Sequence, residues 1–467
     1  MSRARSTRRD RARGPAAPVA LALVAVLAAR SAGASPGARA GFGSRSQAFA
    51  GAEVGDARGA AAVFENPAAL VQTPDTELSL GMSYTSYDFT LDDADAGLTS
   101  VPTLDFGAVI PGSVVTIPIA FGLALSLPDW RYSNLHNADP TIAYFPLDDS
   151  GPRLFDLGMA LAVRPVSWLA LGGGVGFLAA AQGGFRVSGT AVAADGGGSE
   201  YESELRHSVE ADLVSVRYPI FGATVTPSKL VTLGIGYRGS ATIEQRVAGE
   251  LEGVVRSGPT DVPVRYQFET KASLAFLPAV IAIGGTYRPL DQWRVSAQVD
   301  WEGYSAYPSP FARPETVLEI DPPPGFPTPV EPPPLPEPVA LSDRFVPRLG
   351  VERSFEVARR VEVLARLGYA YQAAVVPARQ TQTLLVDFDR HVVALGAGGT
   401  WSRPFAPFGE LRLDLHVSLT QGVARDVVTG PSSALVSHRV SGSMLGAGAT
   451  LGLAFDALGR SPRTNLY

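Results

Sequence analysis

The feature that most constrains this chain is a recurring segment of about ten residues in which polar and apolar positions alternate, leaving one face wholly apolar. From Gln292 the chain reads QWRVSAQVDWEGY, with Trp293, Val295, Ala297, Val299 and Trp301 on one side and Arg294, Ser296, Gln298, Asp300 and Glu302 on the other. ELRLDLHVSLTQ, VEVLARLGYAY and LFDLGMALAV repeat the pattern, the second ending in two tyrosines on its apolar face. A period of two means strand, and a slip of one residue would turn every apolar side chain to the wrong face. Alternation alone also suits a soluble sandwich, whose sheets have one core face and one wet face. Three features favour a transmembrane barrel instead: segments of about 9 to 11 residues, aromatics gathered at their ends, and connections that are alternately tight and long. YRPLDQW, VRPVSW, TPSKL and FEVARRV read as the tight turns.

Counting hairpins from Leu78–Tyr87 to Leu445–Phe455 gives about fourteen antiparallel strands, an even number, which sets both ends of the barrel on the periplasmic side. Ile117–Leu127 is the third of these, and Val231–Ile243 reads as one unbroken seventh strand. The fold class is therefore all-β, a transmembrane antiparallel β-barrel.

Composition agrees. Charged residues are 18% of the 467, below the roughly 25% of soluble proteins, while Gly numbers 49 and Pro 38. The net charge of -6 is dispersed, which leaves no basic footprint for nucleic acid. Cysteine is absent, so thiolate catalysis and disulfides are excluded. The basic MSRARSTRRDRARG followed by the apolar PAAPVALALVAVLAA reads as a secretory signal peptide, residues 1–40, cleaved after Ala40 or alternatively after Ala34. No later run is apolar enough for a membrane helix.

Beyond the leader, GFGSRSQAFAGAEVGDARGAAAVFENPAAL, LVTLGIGYRGSATIEQ, LPAVIAIGGTYRPLDQWRVSAQVDWEGYSAY and RLGVERSF followed by VPARQTQTLLVDFDRHVVALGAG occur in an order that resembles the FadL family. These are outer-membrane transporters for long-chain fatty acids and other hydrophobic molecules, and they include the TodX-type aromatic hydrocarbon channels. The resemblance implies a fourteen-stranded barrel with an N-terminal hatch in its lumen, here residues 41–75, ahead of a barrel spanning 76–455. It also implies a ligand site at the mature N-terminus, whose matching residue is Phe42, and a kinked third strand that opens the wall toward lipid.

Physical chemistry reaches the same need for a hatch. A barrel this wide is not filled by its own side chains. The segment from Gly41 is dense in Gly and Ala, which pack closely against a wall. Asn66-Pro67-Ala68 is then expected to turn the hatch, since Pro67 biases Asn66 away from helix and the Asn66 side chain bonds local backbone; as a local motif it also suits a plain surface turn.

Catalysis has little footing. The five histidines lack metal-ligand spacing, no G-x-S-x-G elbow is present, and GGGVG at Gly172–Gly176 reads as close packing within a strand. DDADAG from Asp92 lacks the closing Glu of a calcium loop. No enzymatic activity and no cofactor are expected. Inward charges such as Arg294 and Arg348 either pair within a polar lining or hold a ligand carboxylate by a forked guanidinium. Pro118 and Pro219 interrupt strand ladders, and Pro118, in the third strand, is the expected lateral opening. The proline-rich stretch within 305–342 forms an outer loop, and residues 456–467 are a tail beyond the last strand. The expected function is passive, ligand-gated transport of fatty acids or related hydrophobic molecules by a monomer whose partners are that ligand and outer-membrane lipid. The alternative is a structural platform for envelope proteins. A continuous apolar cavity between hatch and wall would mark the transporter, and a polar-filled lumen the platform.

Overall fold

A computed structural model of the chain describes residues 41–98, 100–128, 143–148, 154–194, 203–257, 260–308, 313–320, 340–380, 383–405, 407–429 and 436–455. The leader, the alternative cleavage sites, most of the proline-rich loop and the tail lie outside the described residues.

Fourteen strands close into one antiparallel barrel, and each alternates as its sequence requires. In chain order they are β1 (Thr76–Leu91), β2 (Val101–Val114), β3 (Ile117–Pro128), β4 (Leu154–Val166), β5 (Leu169–Ala194), β6 (Ser203–Ser228), β7 (Val231–Arg238), β8 (Ala279–Tyr287), β9 (Trp293–Gly303), β10 (Arg344–Ala358), β11 (Val361–Gln372), β12 (Arg390–Ser402), β13 (Phe408–Gly422) and β14 (His438–Phe455). Each pairs with the next, and β14 returns to pair with β1 from Thr76↔Phe455 to Leu91↔Val440. Leu80, Ile110, Leu161, Ile283, Leu349 and Leu395 are exposed on the outer face, where hydrocarbon would cover them. Their sequence neighbours point inward. Ser296, Gln298, Asp300 and Glu302 of β9 are all buried.

The seventh strand departs from expectation. It stops at Arg238, and the chain resumes at Ala241 as an added strand to Ser257 that pairs with Thr260–Leu277. The far end of this hairpin pairs in parallel with the far end of β5, Ser188 to Ala194 against Glu250 to Arg256. Ala241, Ile243, Ala275 and Leu277 pack with Leu178, Ala180, Tyr218 and Ile220, so the hairpin leaves the wall and crosses the lumen side of β6. A two-residue period cannot distinguish a strand that stays in a wall from one that bends across it.

Ahead of β1, residues 41–73 are mostly buried and pack against the inner side of the wall. The segment contains α1 (Gly43–Ala48), a 3-10 turn at Gly59–Ala61, α2 (Ala62–Glu65) and a second 3-10 turn at Pro67–Gln72. The wall is shaped to receive it. A Cβ at Gly122 or Gly158 would meet Val63, one at Gly172 or Gly222 would meet the Asn66–Pro67 turn, and one at Gly350 or Gly368 would meet Phe49. The glycine run at Gly172–Gly176 thus serves close approach, at Gly172 to the hatch and at Gly176 to the Tyr218 ring.

Candidate functional site

The hatch turn is the anchor of the site. Asn66 caps the second 3-10 turn, accepting from Ala68 N (3.2 Å), with Pro67 in the first position. Its Nδ2 donates to Val54 O (2.8 Å), Thr224 Oγ1 (3.0 Å) and Ala223 O (3.2 Å). One buried amide therefore ties two parts of the hatch to β6. Asn66, Pro67 and Ala68 are all buried.

On its other side the hatch is held by charge. Asp56 meets Arg288 (2.6 Å), Arg58 (3.3 Å) and Arg294 (3.6 Å). Arg45 pairs with Glu53 and lies 3.8 Å from Glu352, which also takes Arg294 and Arg366, and Arg366 continues to Asp414 (2.6 Å). Burial pushes the Asp56 carboxyl up, but the guanidiniums of Arg58, Arg45, Arg288 and Arg294 outweigh it and hold the group below the usual carboxylate range.

Above the hatch lies a chamber of about 140 Å³. Phe42 forms part of its floor, its ring 5.7 Å from that of Phe64, and Ala50 and Gln47 complete the hatch side. Val101, Leu147, Val392 and Met444 bring apolar surface; Ser83, Thr85, Thr103, Ser126, Ser418 and Thr420 bring hydroxyls, and Asp105 and Arg348 bring charge. The lining is thus mixed, neither wholly apolar nor filled by polar side chains. Inward strand positions are hydroxylated and charged, and the apolar contacts of the hatch are consumed in packing against β2 to β6.

The two arginines proposed from parity do face inward, but neither is free. Arg294 bonds Glu352. Arg348 donates through Nε to Asp300 Oδ2 (2.5 Å) and through Nη1 to the Ala50 carbonyl (2.6 Å). Of the pair only Arg348 borders the chamber. Both therefore have carboxylate partners in the lining.

Pro118 lies at the tight-turn end of β3, where it pairs with Ser113, and the ladder to β4 starts one residue later, running from Ile119↔Val163 to Ser126↔Asp156. The break in pairing occurs at the other proline. β6 and β7 pair only from Ile220↔Arg238 downward to Ser228↔Val231, and the last bond above is Gly239 N to Pro219 O (2.9 Å).

A cap that sequence reasoning missed covers the outer end of the chamber. Residues 143–148 pair with the β11–β12 loop through Tyr144 N to Leu384 O and Val386 N to Tyr144 O. Phe89, Phe145, Leu384, Val386 and Phe388 pack beneath. Arg390, fully buried, donates twice to Asp148 (2.9 and 2.5 Å) and once to Asp387 (3.0 Å), with the Phe89 and Phe388 rings 5.7 and 5.1 Å away. The available signal was TLLVDFD, too apolar for a loop left in water.

A family model described as outer membrane protein transport protein (OMPP1/FadL/TodX) matches residues 23–313. Among solved structures, a Pseudomonas aeruginosa FadL homologue aligns at TM-score 0.56 and 15% identity over 91% of this chain and 98% of its own. The CymD monoaromatic hydrocarbon channel aligns at 0.53 and 15% over 90% and 99%, and the P. putida toluene transporter TodX at 0.50 and 15% over 89% and 99%. At such identities the likeness is one of fold. No curated protein matches.

Proposed function

We propose, from the premise that this chain belongs to the OMPP1/FadL/TodX family of outer-membrane proteins that transport hydrophobic compounds, that it moves long-chain fatty acids or related hydrophobic molecules passively. The observation that carries this reading is the chamber held between hatch and cap, with Phe42 on its floor. A hydrophobic ligand leaving water gains about 0.8 kcal/mol per buried methylene, which suffices to draw it in without an energy source. The ligand occupies the chamber beside Phe42 and shifts the N-terminal end of the hatch, which is the gating step.

The lateral exit belongs between β6 and β7, above Pro219, rather than at Pro118. Support comes from the loss of ladder pairing there and from the apolar cluster that joins Val63, Phe64 and Leu70 of the hatch to Tyr218, Ile220, Ala241 and Ile243.

Radiolabelled oleate and toluene uptake in a transporter-null host tests the reading. Expression of this chain should raise uptake of at least one of them, and Phe42→Asp should remove most of the gain. No uptake of either, with the barrel inserted, would favour the platform.

A further inference from the structure

The outer face of the barrel carries an arginine near one end of its otherwise apolar row. Along β10 the outward residues are Phe345, Pro347, Leu349, Val351, Arg353, Phe355 and Val357, so Arg353 stands in the lipid-facing row. It lies in register with Trp293 of β9 and Ala365 of β11, close to the short turns on the periplasmic side. Its guanidinium sits 5.0 Å from the Trp293 ring and 4.7 Å from that of Phe355. Such a sandwich fixes the planar group and leaves its edge N–H donors free.

The adjoining turns add more. Arg359 and Arg360 join β10 to β11, and Arg403 lies in the turn after β12, joined to the first by Ser402 N to Arg360 O (2.9 Å). All four arginines are exposed. Among the described residues none of them is within ion-pair distance of a carboxylate; the nearby Glu352 and Glu410 are paired with inward arginines, and Glu356 and Glu362, opposite each other across β10 and β11, lie on the face away from Arg353.

We infer that Arg353, clasped by Trp293 and Phe355 and backed by Arg359, Arg360 and Arg403, binds the phosphate of an anionic phospholipid in the inner leaflet. The acyl chains then lie along the apolar row above it, and the aromatic pair sets the depth of the headgroup. This rests on the barrel's placement in the membrane and not on the transport reading, so either can fail without the other.

The mature protein, in detergent with equal amounts of phosphatidylglycerol and phosphatidylcholine of the same chains, is examined by native mass spectrometry. Wild type should retain phosphatidylglycerol over phosphatidylcholine by at least about five-fold, the ratio a single guanidinium at an anionic surface supplies. Arg353→Gln should lower that ratio about five-fold, and Arg353→Lys should fall between, because it keeps the charge but not the planar stack. Equal retention by wild type, or a preference unchanged by Arg353→Gln, overturns the assignment. The wild-type comparison decides even if a variant does not fold. Excess inorganic phosphate should displace no lipid; displacement would mark a free-anion site and overturn the lipid assignment.

Discussion

At the scale of single residues, Asn66 uses both ends of its amide inside the lumen. Asn66→Ala leaves the Val54 carbonyl and the Ala68 N–H without those partners, a loss of about 1–3 kcal/mol. A steady ion leak across planar bilayers, absent from wild type, is the expected readout. Gly172→Val should leak as well, since a side chain there runs into Pro67 and Ala68, while Gly399→Ala, with nothing within 4 Å of the added carbon, should conduct like wild type. The Asn-Pro-Ala turn was legible because its geometry is written in adjacent residues. Partners of Arg294 and Arg348 were not, because parity assigns a face and never a partner. Ala50, which accepts from Arg348, is 298 residues away in the chain.

Among elements, the hatch is the one whose docking depends on charge. Burial pushes the Glu65 carboxyl up to about 7, with the Asp300 carboxylate adding to the rise and Arg348 opposing it. Between 4.5 and about 7 the docked hatch therefore holds a proton that the unfolded chain has released, so this group's contribution weakens as pH rises through that window and levels off above it. Glu65→Gln should raise the melting temperature at pH 8 and leave it unchanged at pH 4, followed by circular dichroism in detergent; the gain is roughly 1–3 kcal/mol. Asp56 acts in the opposite sense. Its carboxyl is held low, so its contribution is present at neutral pH and is lost only in acid, and Asp56→Asn should destabilise at pH 7. The strands were legible because lipid on one side and the lumen on the other impose a two-residue rule. The break at Gly239 and the cap around Arg390 were not, since both depend on where a loop lands inside the mouth.

For the whole molecule, wall and hatch are separable in principle. Deleting residues 41–75 while keeping the leader should leave an inserted barrel, seen as different gel mobilities before and after heating in SDS. Its conductance should rise roughly ten-fold or more, because side chains alone do not fill a barrel of this width. That width was legible in the strand count. The division of the lumen into an apolar side toward β2 to β6 and an ionic side toward β9 to β13 was not, since it arises only when the hatch is in place.

The pairing of β14 with β1 has a bearing on how the molecule is made. The segment ahead of β1 is the hatch, and β1 finds its second neighbour only when the last strand has been synthesised. Drawing that seam shut therefore takes both ends of the sheet at once, and the stopper, joined directly to β1, is tethered at the seam itself. Until it is drawn, the first and last strands each leave one margin bare, a template for unwanted pairing.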